Sequence, residues 1–183
     1  MTVSTHLMPN PPGGPSASSM LSALQNEGVT HAVTVPDFVQ FALHERIADQ
    51  ACGIRNVFAA TEDQALTTAA GLYLGGRTPV VMLQNQGLYK GFNSLRAVCL
   101  DAGIPLVILA GQFGREVDNF TKPMTQSRRS MVRLMQPFLD AIGFRYWTIE
   151  EDSDVAAIAQ AYTHARQAQT AAVVLVGRHI TWN

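Results

Sequence analysis

Apolar residues in this chain gather into short runs that alternate between a two-residue and a helical period. Residues 31–35, 54–60, 79–84, 105–110, 144–149 and 171–176 are compact apolar runs bounded by Gly, Pro or polar residues, and each predicts a strand. Between them apolar positions recur at helical spacing, over 18–27, 37–49, 62–74, 89–101, 127–142 and 152–167. Ser18 or Ser19 would cap the first helix, and Asp37, following Pro36, the second. Gly75-Gly76 closes the third. The polar stretches Asn85-Gln86-Gly87 and 111–126 predict loops. The run 54–60 is apolar enough to predict a strand covered on both faces.

Six strands interleaved with helices predict an α/β fold: a single doubly wound domain whose six-stranded, mostly parallel sheet is flanked by helices. Ahead of it, residues 1–17, with Pro9, Pro11, Pro12, Gly13, Gly14 and Pro15, predict a flexible leader, which leaves 18–183 as the folded domain.

Composition narrows the function. Apolar residues make up 47% and charged residues only 15% of the 183, and a charge-poor surface is what burial in an oligomer leaves behind. The formal net charge is -1, with no basic block or stripe, which argues against nucleic acid and anionic membrane as partners. No apolar run is long enough to span a bilayer, and the amino terminus lacks a secretory pattern, so the cytoplasm is the expected compartment. Cys52 and Cys99 have no metal-ligand spacing; Cys99 reads as a buried small hydrophobe and Cys52 as a loop residue. None of the histidines pairs at metal-ligand spacing, and His31 and His44 read as structural.

The junction after the second strand carries the strongest chemical signal. In Phe58-Ala59-Ala60-Thr61-Glu62-Asp63-Gln64-Ala65, a buried strand hands over to an Ala/Gly-rich helix with Glu62 at the turn. Open α/β sheets place ligand chemistry at such carboxyl ends, and the small residues behind Glu62 would let a neighbouring backbone come close. Taken alone, Glu62 is a first-turn acid complementing the helix dipole. Its company changes that reading: Val35-Pro36-Asp37 follows the first strand and Gln84-Asn85-Gln86-Gly87-Leu88 the third.

These three junctions, in this order, resemble the pyrimidine-binding (PYR) domain of thiamine-diphosphate-dependent decarboxylases, most of all the phosphonopyruvate and sulfopyruvate decarboxylase group. The resemblance spans about 21–181. It implies that Glu62 is the catalytic acid, hydrogen-bonding the aminopyrimidine N1′ so that the 4′-nitrogen can take the thiazolium C2 proton. A buried setting that raises its pKa would suit that task. It implies cofactor contacts from Glu62, Asn85, Gln86 and Gly87, and substrate contacts from Asp37, Asn85 and Lys90. No metal ligand is expected in this chain, because the family's Gly-Asp-Gly, which holds Mg2+ and the diphosphate, is absent from the sequence. The resemblance therefore implies the α half of a split enzyme. Its β partner would bring the diphosphate-binding (PP) domain, in an α2β2 or larger assembly acting on a small anionic 2-oxo acid.

The chain also departs from the group's pattern. Gln86, Tyr89 and Lys90 stand where the third junction usually has Ser, Gly and Asn, and Phe38 stands where the first usually has Ser. These changes leave the cofactor chemistry intact and open the substrate question among sulfopyruvate, phosphonopyruvate and other 2-oxo acids. A sulfonate or phosphonate needs cations or N–H donors, for which Lys90, Arg115, Arg128, Arg129 and Arg133 are candidates. A non-catalytic flavodoxin-like or nucleotide-binding module is the alternative class, against which no Gly-x-Gly-x-x-Gly follows the first strand. An inactive PYR-like subunit is a third, against which Glu62 is retained.

Overall fold

A computed structural model describes residues 13–183. The prolines at 9, 11 and 12, His6 and most of the expected leader lie outside the described residues. The part of that stretch that is described is packed: Ala17 donates to the Thr181 carbonyl, Thr181 donates to that of Pro15, and Ser16 and Ala17 are buried. The folded region thus begins before residue 18.

Six strands form one parallel sheet: β1 (His31–Thr34), β2 (Arg55–Phe58), β3 (Pro79–Gln84), β4 (Leu106–Gly111), β5 (Arg145–Ile149) and β6 (Ala171–Val176), in the order β2-β1-β3-β4-β6-β5. The helices are α1 (Ala17–Asn26), α2 (Phe41–Ala48), α3 (Glu62–Leu74), α4 (Asn85–Lys90), α5 (Phe92–Leu95), α6 (Ser130–Arg133), α7 (Met135–Ile142) and α8 (Ala157–Ala168). All six expected strands are present, within a residue or two of their expected ends. The winding reverses between β1 and β3, where a doubly wound sheet opens its crevice.

Strand side chains alternate between two cores. Val80, Met82, Val107, Leu109 and Val174 pack with Leu43 of α2 and Ile158 of α8. Val81, Leu83, Ile108, Ala110 and Val173 pack with Leu66 of α3, Leu88 of α4 and Leu139 of α7. Cys99 belongs to the second core, and its burial pushes its thiol up to about 12, the inert state of a structural cysteine.

Several elements differ from the sequence expectation. β2 is an edge strand with Phe58 72% exposed, so it is not covered on both faces. Its apolar run fits a central and an edge position equally well; neighbours far along the chain decide between them. Asn85-Gln86-Gly87 is the first turn of α4 and not a loop. Past α5 the helix widens to a π-helical turn, Arg96–Asp101, whose ends are joined by an Arg96–Asp101 ion pair. The expected helix over 127–142 is broken into α6 and α7, and that over 152–167 starts at Ala157 after a 3-10 turn, Asp152–Asp154.

One buried cation ties the strand ends together. The Arg115 side chain is 2% exposed, and its Nη1 lies 2.5 Å from Glu150 Oε1, just past β5. Its other donors reach the Asn119 Oδ1 and the Asn119 and Lys122 carbonyls. A guanidinium so fully engaged is a structural clamp, which answers its candidacy as an anion site. Removing it takes the nearer cation from Glu150, leaving only Arg178 at 3.6 Å, and strands several carbonyls. Arg115→Met is expected to lower unfolding free energy by about 3 kcal/mol or more in urea titration, against under about 0.5 kcal/mol for exposed Arg129→Met.

Candidate active site

Three junctions meet at the carboxyl edge of the sheet. At the second, Thr61 caps α3, its hydroxyl accepting from the Gln64 amide, so that Glu62 opens the helix. The Glu62 side chain is 17% exposed and lies against α4. Gly87 makes that approach possible: a Cβ there would stand 2.3 Å from Glu62 Cγ. A Cβ on Gly91, one turn later, would stand 2.9 Å from Leu66 Cδ1 and 3.4 Å from Glu62 Cβ. The two glycines of α4 and its end form a notch that receives Glu62 and Leu66 from one face of α3. Gly87 is thus a packing glycine in helical conformation, not a turn glycine.

The structure places the expected site residues unequally around that notch. Lys90 Nζ lies 3.1 Å from Glu62 Oε2 and 3.8 Å from Asp63 Oδ2. Asp63 Oδ1 in turn accepts from the Ser94 hydroxyl at 3.0 Å. Asn85 is fully buried; its amide donates to the Phe113 and Met131 carbonyls and its Oδ1 accepts from the Gln86 amide. These bonds lock the start of α4 and leave the Asn85 side chain facing its own chain. Gln86 is exposed at the rim, with its amide nitrogen 3.1 Å from Met131 Sδ. Of the other candidate cations, Arg128 pairs with Glu116 and Asp118, Arg133 donates to the Ser127 and Arg128 carbonyls, and Arg129 is exposed.

Asp37 does not cap α2, which begins only at Phe41. Its carboxylate turns inward, Oδ1 accepting from the Val39 amide at 2.9 Å and Oδ2 from Gln40 Nε2 at 2.7 Å. Gln40 Nε2 also reaches the Leu83 and Leu109 carbonyls at the ends of β3 and β4. Gly111 admits the carboxylate from below, since a Cβ there would stand 1.9 Å from Asp37 Oδ2. Burial pushes Asp37 up to about 6, against the pull of the bonds from Gln40, Val39 and Gly111. Gln40 Oε1 is buried with no partner of its own.

Beside Asp37, a cleft of about 430 Å3 is framed by Phe38, Phe41, His44, Asn56, Phe58 and Gln84. Phe38, Phe41 and Phe58 are 56%, 46% and 72% exposed, an apolar rim at the edge that carries Glu62. His44 Nε2 accepts the Asp37 amide, and burial pushes this imidazole down to about 4. Sequence reasoning passed over Gln40, Gly91 and Gly111, and gave His44 only a structural role. Only Gly111, a glycine closing a buried strand at its carboxyl end, carried a signal.

Set beside known proteins, residues 16–129 match the family model described as thiamine pyrophosphate enzyme, N-terminal TPP binding domain. The chain belongs to this family. A phosphonopyruvate decarboxylase from Streptomyces hygroscopicus is 35% identical over 101 residues, covering 55% of this chain and 25% of that protein. A sulfopyruvate decarboxylase subunit alpha from Methanothermobacter thermautotrophicus is 25% identical over 126 residues, covering 67% of this chain and 76% of that subunit. The chain therefore spans a quarter of the first relative's length and three quarters of the second's. Among solved structures, a 2-oxoglutarate:ferredoxin oxidoreductase from Magnetococcus marinus superposes with TM-score 0.60 at 13% identity, over 87% of this chain and 28% of that one, a likeness of fold.

The site fits a thiamine diphosphate pyrimidine ring at one end. The Glu62 carboxylate, seated against Gly87 at the sheet's edge, offers acceptor oxygens to a ring with paired donors and acceptors. Among the described residues, no three His, Cys, Asp or Glu side chains converge as metal ligands. No helix of the described residues is long and apolar enough to cross a membrane.

The Asp37–His44 contact makes a pH prediction. Asp37 holds its proton more tightly in the fold than its ordinary 3.8, so its contribution is complete below about 3.8 and lost as pH rises through about 6. His44 is held neutral, so its contribution is complete above 6.5 and lost as pH falls through about 4. The two slopes oppose each other over the same interval. Asp37→Asn should therefore gain stability from pH 4 to 6.5, and His44→Gln should lose it, each by roughly 2–3 kcal/mol in denaturant titrations. Parallel pH profiles for both variants would refute the assignment.

Proposed function

We propose that this chain is the α, pyrimidine-binding subunit of a thiamine-diphosphate-dependent 2-oxo acid decarboxylase. The observation that carries this reading is the Glu62 carboxylate at the head of α3, seated against Gly87 at the carboxyl edge of the sheet. When bound, thiamine diphosphate supplies the electron sink that carboxylate loss from a 2-oxo acid requires. Glu62 would hold a proton at the pyrimidine N1′. Gly87 leaves room for the Glu62 side chain, Gln86 stands at the rim, and Asn85 fixes the backbone of both. Asp37, titrating near neutrality beside the cleft, would hold a proton on the substrate side.

The reading includes a β partner carrying the diphosphate-binding domain and the Mg2+ ligands, in an α2β2 or larger assembly in the cytoplasm. Two observations support a partner: one relative is named a subunit alpha, and three exposed phenyl rings frame the cleft at this edge. Sulfopyruvate, converted to sulfoacetaldehyde and CO2, is the preferred substrate in view of the relative that this chain matches over most of its length. The higher identity to a phosphonopyruvate decarboxylase keeps phosphonopyruvate as the second reading.

The test is CO2 release from each acid by this chain purified with its partner subunit, with thiamine diphosphate and Mg2+ present. Release should require both subunits and should fall at least about 100-fold in Glu62→Gln. Release that ignores the substitution would remove Glu62 from the mechanism.

A further inference from the structure

Gln40 occupies the cap position of α2, yet its side chain makes no cap bond. It is fully buried instead, and its amide nitrogen meets three acceptors: Asp37 Oδ2 at 2.7 Å, the Leu109 carbonyl at 3.1 Å and the Leu83 carbonyl at 3.2 Å. The amide cannot turn over, because Oε1 would then face the two carbonyl oxygens. It is held as a donor even though Oε1 is left buried without a partner, a costly arrangement. An apolar side chain of the same length would fill the space with no orphaned oxygen. What the glutamine adds is a fixed donor, and its shortest bond goes to Asp37.

We propose that Gln40 is the positioning residue of Asp37: its amide fixes Oδ2 at the sheet's edge and governs the pH at which that carboxyl gives up its proton. The inference rests on the role given to Asp37 above and names the group that tunes it. The other donors to this carboxyl are the backbone amides of Val39 and Gly111. Among the described residues, Gln40 is thus the side chain that bonds it. Burial favours the protonated acid, whereas a bond donated to the carboxylate favours the ionised one, so Gln40 works against burial. The titratable neighbours leave that bond its leverage. His44, which burial pushes down to about 4, meets the Asp37 amide and not its carboxyl. Glu45, also on α2, lines the cleft, and His179, pushed down by burial, packs on the Phe38 ring. Among the described residues, those lining the cleft include no Lys or Arg. The simpler reading, a tie between the ends of β3 and β4, predicts lost stability and an unmoved Asp37 titration.

The experiment compares wild type, Gln40→Met and Gln40→Glu. The Asp37 titration is read by carboxyl-carbon NMR of the full chain, with Asp37→Asn identifying its resonance. The pH profile of kcat/KM is read on the assembly with the partner subunit, thiamine diphosphate and Mg2+. Removing the donor in Gln40→Met should move the Asp37 titration to higher pH by about one unit or more. Gln40→Glu, which keeps the shape and sets a second carboxyl against the first, should move it up as well. The matching limb of the pH profile should follow. An Asp37 titration that stays in place in a folded Gln40→Met chain would make Gln40 a strand tie and overturn the proposal, as would failure of both variants to fold. A titration that moves under a fixed pH profile would uphold Gln40 as the group that tunes Asp37, and the role given to Asp37 in the proposed function would fall instead.

Discussion

The closeness of α3 and α4 at the carboxyl edge of the sheet constrains everything around it. Gly87 and Gly91 lack the atoms that would hold the two helices apart, and Glu62 and Leu66 fill the space so left. Leu66 anchors the contact in the core beneath α3, so the neighbouring carboxylate is placed by packing and not by its own flexible stem. The chain on either side obeys the same constraint. Asn85 bonds the Phe113 and Met131 carbonyls to hold the start of α4, and Thr61 caps the start of α3. A single carboxylate is thereby fixed at the water boundary with a glycine wall on one side.

A second close approach organises the other half of the edge. Gly111 lets Asp37 sink between the ends of β1 and β4, and Gln40 bridges that carboxyl to the Leu83 carbonyl of β3 and the Leu109 carbonyl of β4. The two acids end in different environments. Asp37 is enclosed and carries a raised pKa, while Glu62 stays at the boundary beside an ammonium. One edge thus presents an enclosed carboxyl that holds its proton up to about pH 6 and a second carboxylate paired with a half-exposed ammonium.

Much of this was legible in the sequence. The six strands and the exact span of α3 follow from apolar periodicity, because buried strands and a capped helix write their own boundaries. The three junctions resembled the family to which the chain belongs, and the structure brings them together at one edge of the sheet. What stayed hidden depends on contacts between distant residues. Asn85-Gln86-Gly87 has turn composition, yet it is helical because Gly87 is needed for packing against a residue far back in the chain. Asp37 looks like a cap, but burial against Gly111 outweighs capping and delays α2 to Phe41. The run at β2 could not reveal that it lies at the sheet's edge, nor that Phe58 faces outward. The pairing of Lys90 with Glu62 likewise required the helices to be set side by side.

The central claim is that the Gly87 notch exists to seat Glu62 for a cofactor. It is tested most directly by the thiamine diphosphate affinity of Gly87→Ala in the assembled protein, measured together with its melting temperature. The added methyl must push the Glu62 side chain aside, so the account predicts at least about a tenfold loss of affinity. The melting temperature should drop by only a few degrees. Wild-type affinity in a folded Gly87→Ala protein would contradict it.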